Sequence, residues 1–168
     1  MTSIKFGMDG WRAVLAREFT FANCRLVSQA IATYLTGQNL TRKGLVIAYD
    51  HRFMAEEIAR ECARVIVGNG IRAYVMRKAV PTPLAGFAVR HLEAGGALVI
   101  TGGQYSPEYC GVKYLDGHAG PALPEITGAL EQEIERLGGS GRIYELDLYE
   151  AEKLELYKEI DLERVYQD

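Results

Sequence analysis

Short apolar runs alternate with amphipathic stretches along this chain, and that alternation predicts an α/β domain. Thr20 is placed to cap a helix over 21–36, in which Val27, Ile31 and Leu35 recur at helical spacing before Gly37. Residues 45–49 form a continuous apolar run of strand length, ending at Asp50. A helix over 53–67 follows, with Phe53, Ile58, Cys62 and Ile66 near one face, and Gly68-Asn69-Gly70 stops it. The next strand spans 71–76. Thr82 can cap a helix that has Pro83 at its first position and runs to Leu92. Residues 97–100 are a third strand, and 112–115 a short fourth. A helix over 124–137 closes at Gly138-Gly139, and a last helix is predicted over 150–166, with Leu154, Tyr157 and Ile160 aligned. Residues 7–12 are turn-rich and predict a loop.

Composition narrows the class. The chain has 168 residues, 48% apolar and 24% charged, which suits one globular domain with its own core. No run is long enough to cross a membrane. The N-terminus lacks a signal pattern, so a cytoplasmic location and no membrane partner are expected. Cys24, Cys62 and Cys110 are odd in number and far apart, which argues against a disulfide framework and against a CxxC metal site. The net charge of −3 divides into +3 over residues 1–142 and −6 over 143–168. The chain therefore reads as a main domain, 1–142, and an acidic C-terminal linker or helix, 143–168. That segment is either a solvated helix or a docking segment. No basic stripe interleaved with aromatics points to nucleic acid.

Candidate chemistry gathers at strand ends, where open α/β sheets bind ligands. Asp50-His51-Arg52 and Thr101-Gly102-Gly103-Gln104 both lie there. Gly102-Gly103 either offers backbone N–H groups to an anion or makes a tight turn. Arg12 either clamps a phosphate or pairs with Asp9, and Arg52 beside Asp50 has the same two readings. Lys113 can reach the same space. His91 sits late in a helix, while His51 and His118 fall in loops, and none has two further ligand types at metal spacing. Ser106 and Cys110 are nucleophile candidates with no local base.

In sequence order these residues resemble one family. The segment from Ile100 to Lys113 is similar to the phosphohexomutase active-site loop, roughly I-T-A-S-H-N-P-P-E-Y-N-G-x-K. Lys5-Phe6-Gly7-Met8-Asp9-Gly10-Trp11-Arg12 resembles that family's K-F-G-T-D-G-W-R. Tyr49-Asp50-His51-Arg52-Phe53 resembles its Y-D-x-R-F turn, and Val80-Pro81-Thr82-Pro83 its next loop. The match runs over about residues 4–137. It implies domain I of an α-D-phosphohexomutase: a three-layer α/β/α fold with a mixed sheet. By position, the resemblance makes Arg12, Gly102, Gly103, Gln104 and Lys113 the residual phosphate site, with Asp50 and Arg52 supporting the loop.

The departures are as specific as the match. Gly103 stands at the family's phosphoserine, Gln104 at its His, Tyr105 at its Asn, Ser106 at its first Pro, Cys110 at its later Asn, and Met8 at its Thr. The family's magnesium, sugar and distal phosphate loops are not in this sequence, so no metal and no cofactor are expected. The resemblance thus implies a binding, regulatory or oligomerising module that does not catalyse the mutase reaction alone. Its expected ligand is phosphate or a sugar phosphate. A homo-oligomer or protein partner is expected on the surface that domain II covers in the family. The alternative is a fragment or subunit of a phosphoglucomutase/phosphomannomutase, an intramolecular phosphotransferase of carbohydrate metabolism, completed by domains II–IV from elsewhere. New chemistry on Cys110 or Ser106 is a third possibility.

Overall fold

The computed structural model describes residues 3–7 and 9–168; Met8, at the family's Thr position, lies outside the described residues. The element order is β1 (Trp11–Val14), α1 (Phe21–Gly37), β2 (Leu45–Tyr49), α2 (Ala55–Gly68), β3 (Ala73–Met76), α3 (Thr82–His91), β4 (Ala97–Ile100), β5 (Tyr109–Leu115), α4 (Pro124–Ser140), α5 (Leu148–Lys153), β6 (Tyr157–Ile160) and α6 (Glu163–Gln167). A single mixed sheet runs β1-β5-β4-β2-β3-β6. Strands β2, β3, β4 and β6 pair in parallel, and β5 is antiparallel to both of its neighbours. Every residue of β2 and β4 is buried, as central strands covered on both faces require. Helix α2 links β2 to β3 in one direction, and α3 links β3 back past β2 to β4. Right-handed crossovers place those two helices on opposite faces. Helix α1 packs against α2 and α4, completing the predicted three-layer architecture.

Thr20 caps α1 as expected, its hydroxyl accepting the Asn23 N–H at 3.2 Å. Other boundaries move, each for a physical reason. Trp11 and Arg12 belong to a strand rather than a loop, because β1 finds a partner in β5, which itself starts three residues earlier than its apolar run. Helix α2 begins at Ala55, after Met54 in the left-handed region at φ 63°, and Phe53 is 74% exposed instead of joining the buried face. The turn before it is occupied in holding another loop. Thr82 is the first residue of α3 and makes no capping bond; Pro81 stands at the cap. Helix α4 continues through Gly138-Gly139 to Ser140.

The largest revision concerns residues 150–166, which do not form one helix. Helix α5 stops at Lys153, Glu155 takes φ 58°, and β6 joins the sheet beside β3, with Ala73 opposite Tyr157 and Met76 opposite Ile160. Sheet pairing buries Ile160 to 7% exposure, whereas Leu154 stays 63% exposed. The acidic segment is fastened to cations of residues 60–78. Glu159 lies 3.9 Å from Arg60 and 3.7 Å from Arg77, and Lys78 reaches Asp161 at 3.6 Å and Glu163 at 2.5 Å. Exposed pairs of this kind are screened by solvent and each adds little.

Candidate functional site

The β4–β5 connection, 101–108, forms the loop at the carboxyl end of the parallel strands. Asp50 directly follows the neighbouring strand β2, and its carboxylate holds two things at once. Oδ2 accepts the Gly102 N–H at 3.1 Å, and Oδ1 accepts the Arg52 N–H at 2.9 Å. The Arg52 guanidinium is then enclosed by loop carbonyls. It donates to Gly103 O at 2.9 Å, Tyr105 O at 2.5 Å, Ser106 O at 2.7 Å and Tyr109 O at 3.3 Å. Gly102 has no side chain where Arg52 passes; a Cβ there would run into Nε and Cζ of Arg52.

On the other side of the loop is a cleft of about 360 Å3 lined by Asp9, Arg12, Thr82, Thr101, Gly103, Gln104, Tyr105 and Lys113. The sheet sets its cationic wall. Arg12 of β1 stands opposite Gly111 of β5, and Lys113 lies two residues along β5, so both cations share one sheet face. Arg12 donates from Nη1 to Trp11 O at 3.1 Å, while its Nε is buried without a hydrogen-bond partner among the described residues. Burial lowers the Arg12 pKa from its ordinary value, opposed by the nearby ionisable groups of Cys110, Tyr105, Asp9 and Asp50. A half-buried guanidinium lining a polar cleft is suited to an anion. Gly103 takes φ 55°, and a Cβ built on it would lie 3.7 Å from Arg12 Nη2 with nothing nearer.

The structure thus brings Arg12, Gly103, Gln104 and Lys113 together in one cleft. Gly102 does not line it. The amides of Gly102 and Gly103 already donate within the chain, the second to Thr101 Oγ1 at 3.1 Å, so they are not the free pair that a bare Gly-Gly suggests. Asp50 and Arg52 lie behind the loop. Asp9, Thr82, Thr101 and Tyr105 complete the lining; Thr101 belongs to the strand-end segment expected to carry chemistry, whereas Asp9 is expected only to pair with Arg12, Thr82 only to cap a helix, and Tyr105 only as a departure from the resembled loop. The other nucleophile candidates are poorly placed. Cys110 is 1% exposed, and burial pushes its thiol up to about 11, which makes it inert at neutral pH. The Glu108 backbone N–H and, after it, the Ser106 hydroxyl lower the Glu108 carboxyl from its ordinary value, and Ser106 does not line the cleft. None of the three histidines lines it. Among the described residues no group of three or more His, Cys, Asp or Glu could hold a metal ion.

Comparison with known proteins places these features. The profile of phosphoglucomutase/phosphomannomutase, alpha/beta/alpha domain I, matches residues 3–139. A phosphoglucomutase from Staphylococcus saprophyticus is 33% identical over 135 residues, covering 78% of this chain and 24% of its own. A phosphoribomutase from Saccharomyces cerevisiae is 29% identical over 138 residues, covering 79% of this chain and 22% of its own. The crystal structure of a candidate phosphomannomutase from Thermus thermophilus superposes with a TM-score of 0.84 at 34% identity, over 98% of this chain and 35% of that one. The chain therefore spans about a quarter of the length of the curated relatives it matches. Among the described residues, no helix is long and apolar enough to cross a membrane.

Proposed function

This chain belongs to the phosphoglucomutase/phosphomannomutase family through its domain I, and from that premise we propose that it binds a phosphorylated sugar without carrying a phosphoryl group. The observation that carries this reading is the void at Gly103, 3.7 Å from Arg12 Nη2. A phosphoryl carrier needs an oxygen at that point, and the loop's aliphatic hydroxyls and thiol do not replace it. Thr101 is 8% exposed and its oxygen already accepts the Gly103 N–H, Ser106 lies outside the cleft, and Cys110 is buried. What persists is the electrostatic part. Arg12 and Lys113 present positive charge to a half-enclosed space, where it is worth more than in open water. Phosphoryl transfer relies on positioning and charge neutralisation together with an acceptor, so a domain with the cations alone is a binding module.

Such a module acts in regulation or assembly. An apolar hollow of about 320 Å3 bordered by Leu15, Phe21, Phe53 and Met54 supports association with another copy or a protein partner, since Phe53 leaves 74% of its surface bare. The three unpaired cysteines favour a reducing, cytoplasmic setting. A second reading rests on the quarter-length coverage of the relatives: the chain is one piece of an intramolecular phosphotransferase whose other domains come from elsewhere. Mutase activity on mixing with domains II–IV of a relative would favour that reading over the first.

Calorimetric titration with glucose 1-phosphate tests the proposal. Saturable binding is expected, weakened at least about tenfold, or about 1.4 kcal/mol, by Arg12→Gln. A flat titration, or binding indifferent to Arg12→Gln, would overturn it.

A further inference from the structure

Resting on the cleft as a phosphate site, we propose that Tyr105 is a stacking platform for the ring of the ligand, so that the site selects hexose phosphates over phosphate itself. Tyr105 stands where the resembled motif has Asn. It lines the cleft beside Gly103 and Gln104 and remains 50% exposed. A bare aromatic on a loop is usually mobile, but this one is anchored. Its N–H donates to Gly102 O at 3.1 Å, its carbonyl accepts from Arg52 Nη2 at 2.5 Å, and its ring packs on Tyr109 with centroids 5.4 Å apart at 47°. A ring held in advance loses little freedom when a ligand settles on it.

The rest of the lining fits the same ligand class. Arg12 and Lys113 match a phosphate dianion. Asp9, Gln104 and Thr82 supply acceptors and donors for hydroxyl groups, and the Tyr105 face offers an apolar surface to the C–H side of a pyranose. At about 360 Å3 the cleft falls at the small end of ligand pockets, roughly 300–1,000 Å3. Inorganic phosphate engages only the cationic wall, whereas a hexose phosphate engages both.

Titration of the full chain with glucose 1-phosphate and, separately, with inorganic phosphate tests this. The natural chain and Tyr105→Phe are expected to bind the sugar phosphate about tenfold tighter than phosphate. Tyr105→Ala is expected to erase that preference. A preference that survives Tyr105→Ala, one lost equally in Tyr105→Phe, or none in the natural chain would overturn the stacking role. If inorganic phosphate itself does not bind the natural chain, the phosphate site fails and the platform falls with it.

Discussion

Arg52 and Gly102 compete for one volume, and that competition fixes the loop. A Cβ on residue 102 would meet the Arg52 guanidinium, which cannot retreat without releasing four carbonyl bonds. Gly102→Ala is therefore expected to cost about 1–3 kcal/mol, the range of overpacking a filled site. With Arg52→Ala already in place, the same change should cost little. A double-mutant cycle by urea unfolding measures the coupling, expected at about 1 kcal/mol or more; additive costs would contradict the shared volume. Gly103 was legible at this scale as a break in the ordered motif the chain resembles. The use of the Gly102 N–H was not. It depends on Asp50, 52 residues away and brought alongside by the parallel pairing of β2 with β4. Arg12 and Lys113 were readable as cations, but only the β1–β5 register puts them on one face.

At the scale of elements, β6 shows where local pattern stops being informative. Residues 150–166 carry Glu, Lys, Ala and Leu at helix-compatible spacing, and propensity alone favours a helix. The edge of β3 decides otherwise, because pairing there satisfies backbone groups and buries Ile160. No window of the sequence contains both strands. The two arrangements differ in which side chains matter. Ile160→Ala is expected to destabilise the domain by about 2–4 kcal/mol, as for a buried aliphatic truncation. Leu154→Ala is expected to stay within about 0.5 kcal/mol, as an exposed position should. Equal losses at both positions, measured by chemical unfolding, would instead match a single packed helix. The central strands and helices α1, α2 and α4 were readable because their apolar runs and stripes are strong. The short β1 was not, since its four residues mean little until β5 lies beside them.

At the scale of the molecule, the sheet order places two loops, from β2 and β4, at one end. It sets a cationic cleft on one side of the β4–β5 loop and a guanidinium clamp on the other. On the proposed reading, the clamp keeps the loop shaped while Gly103 offers no acceptor oxygen, so that binding and transfer separate in one domain. Phosphorus NMR of the chain mixed with glucose 1,6-bisphosphate examines both halves of that claim together. The account predicts bisphosphate resonances that shift or broaden as the chain is added, with no new signals over time. The appearance of sugar monophosphate with a protein phosphoester resonance would contradict it, and so would bisphosphate lines unchanged by the protein.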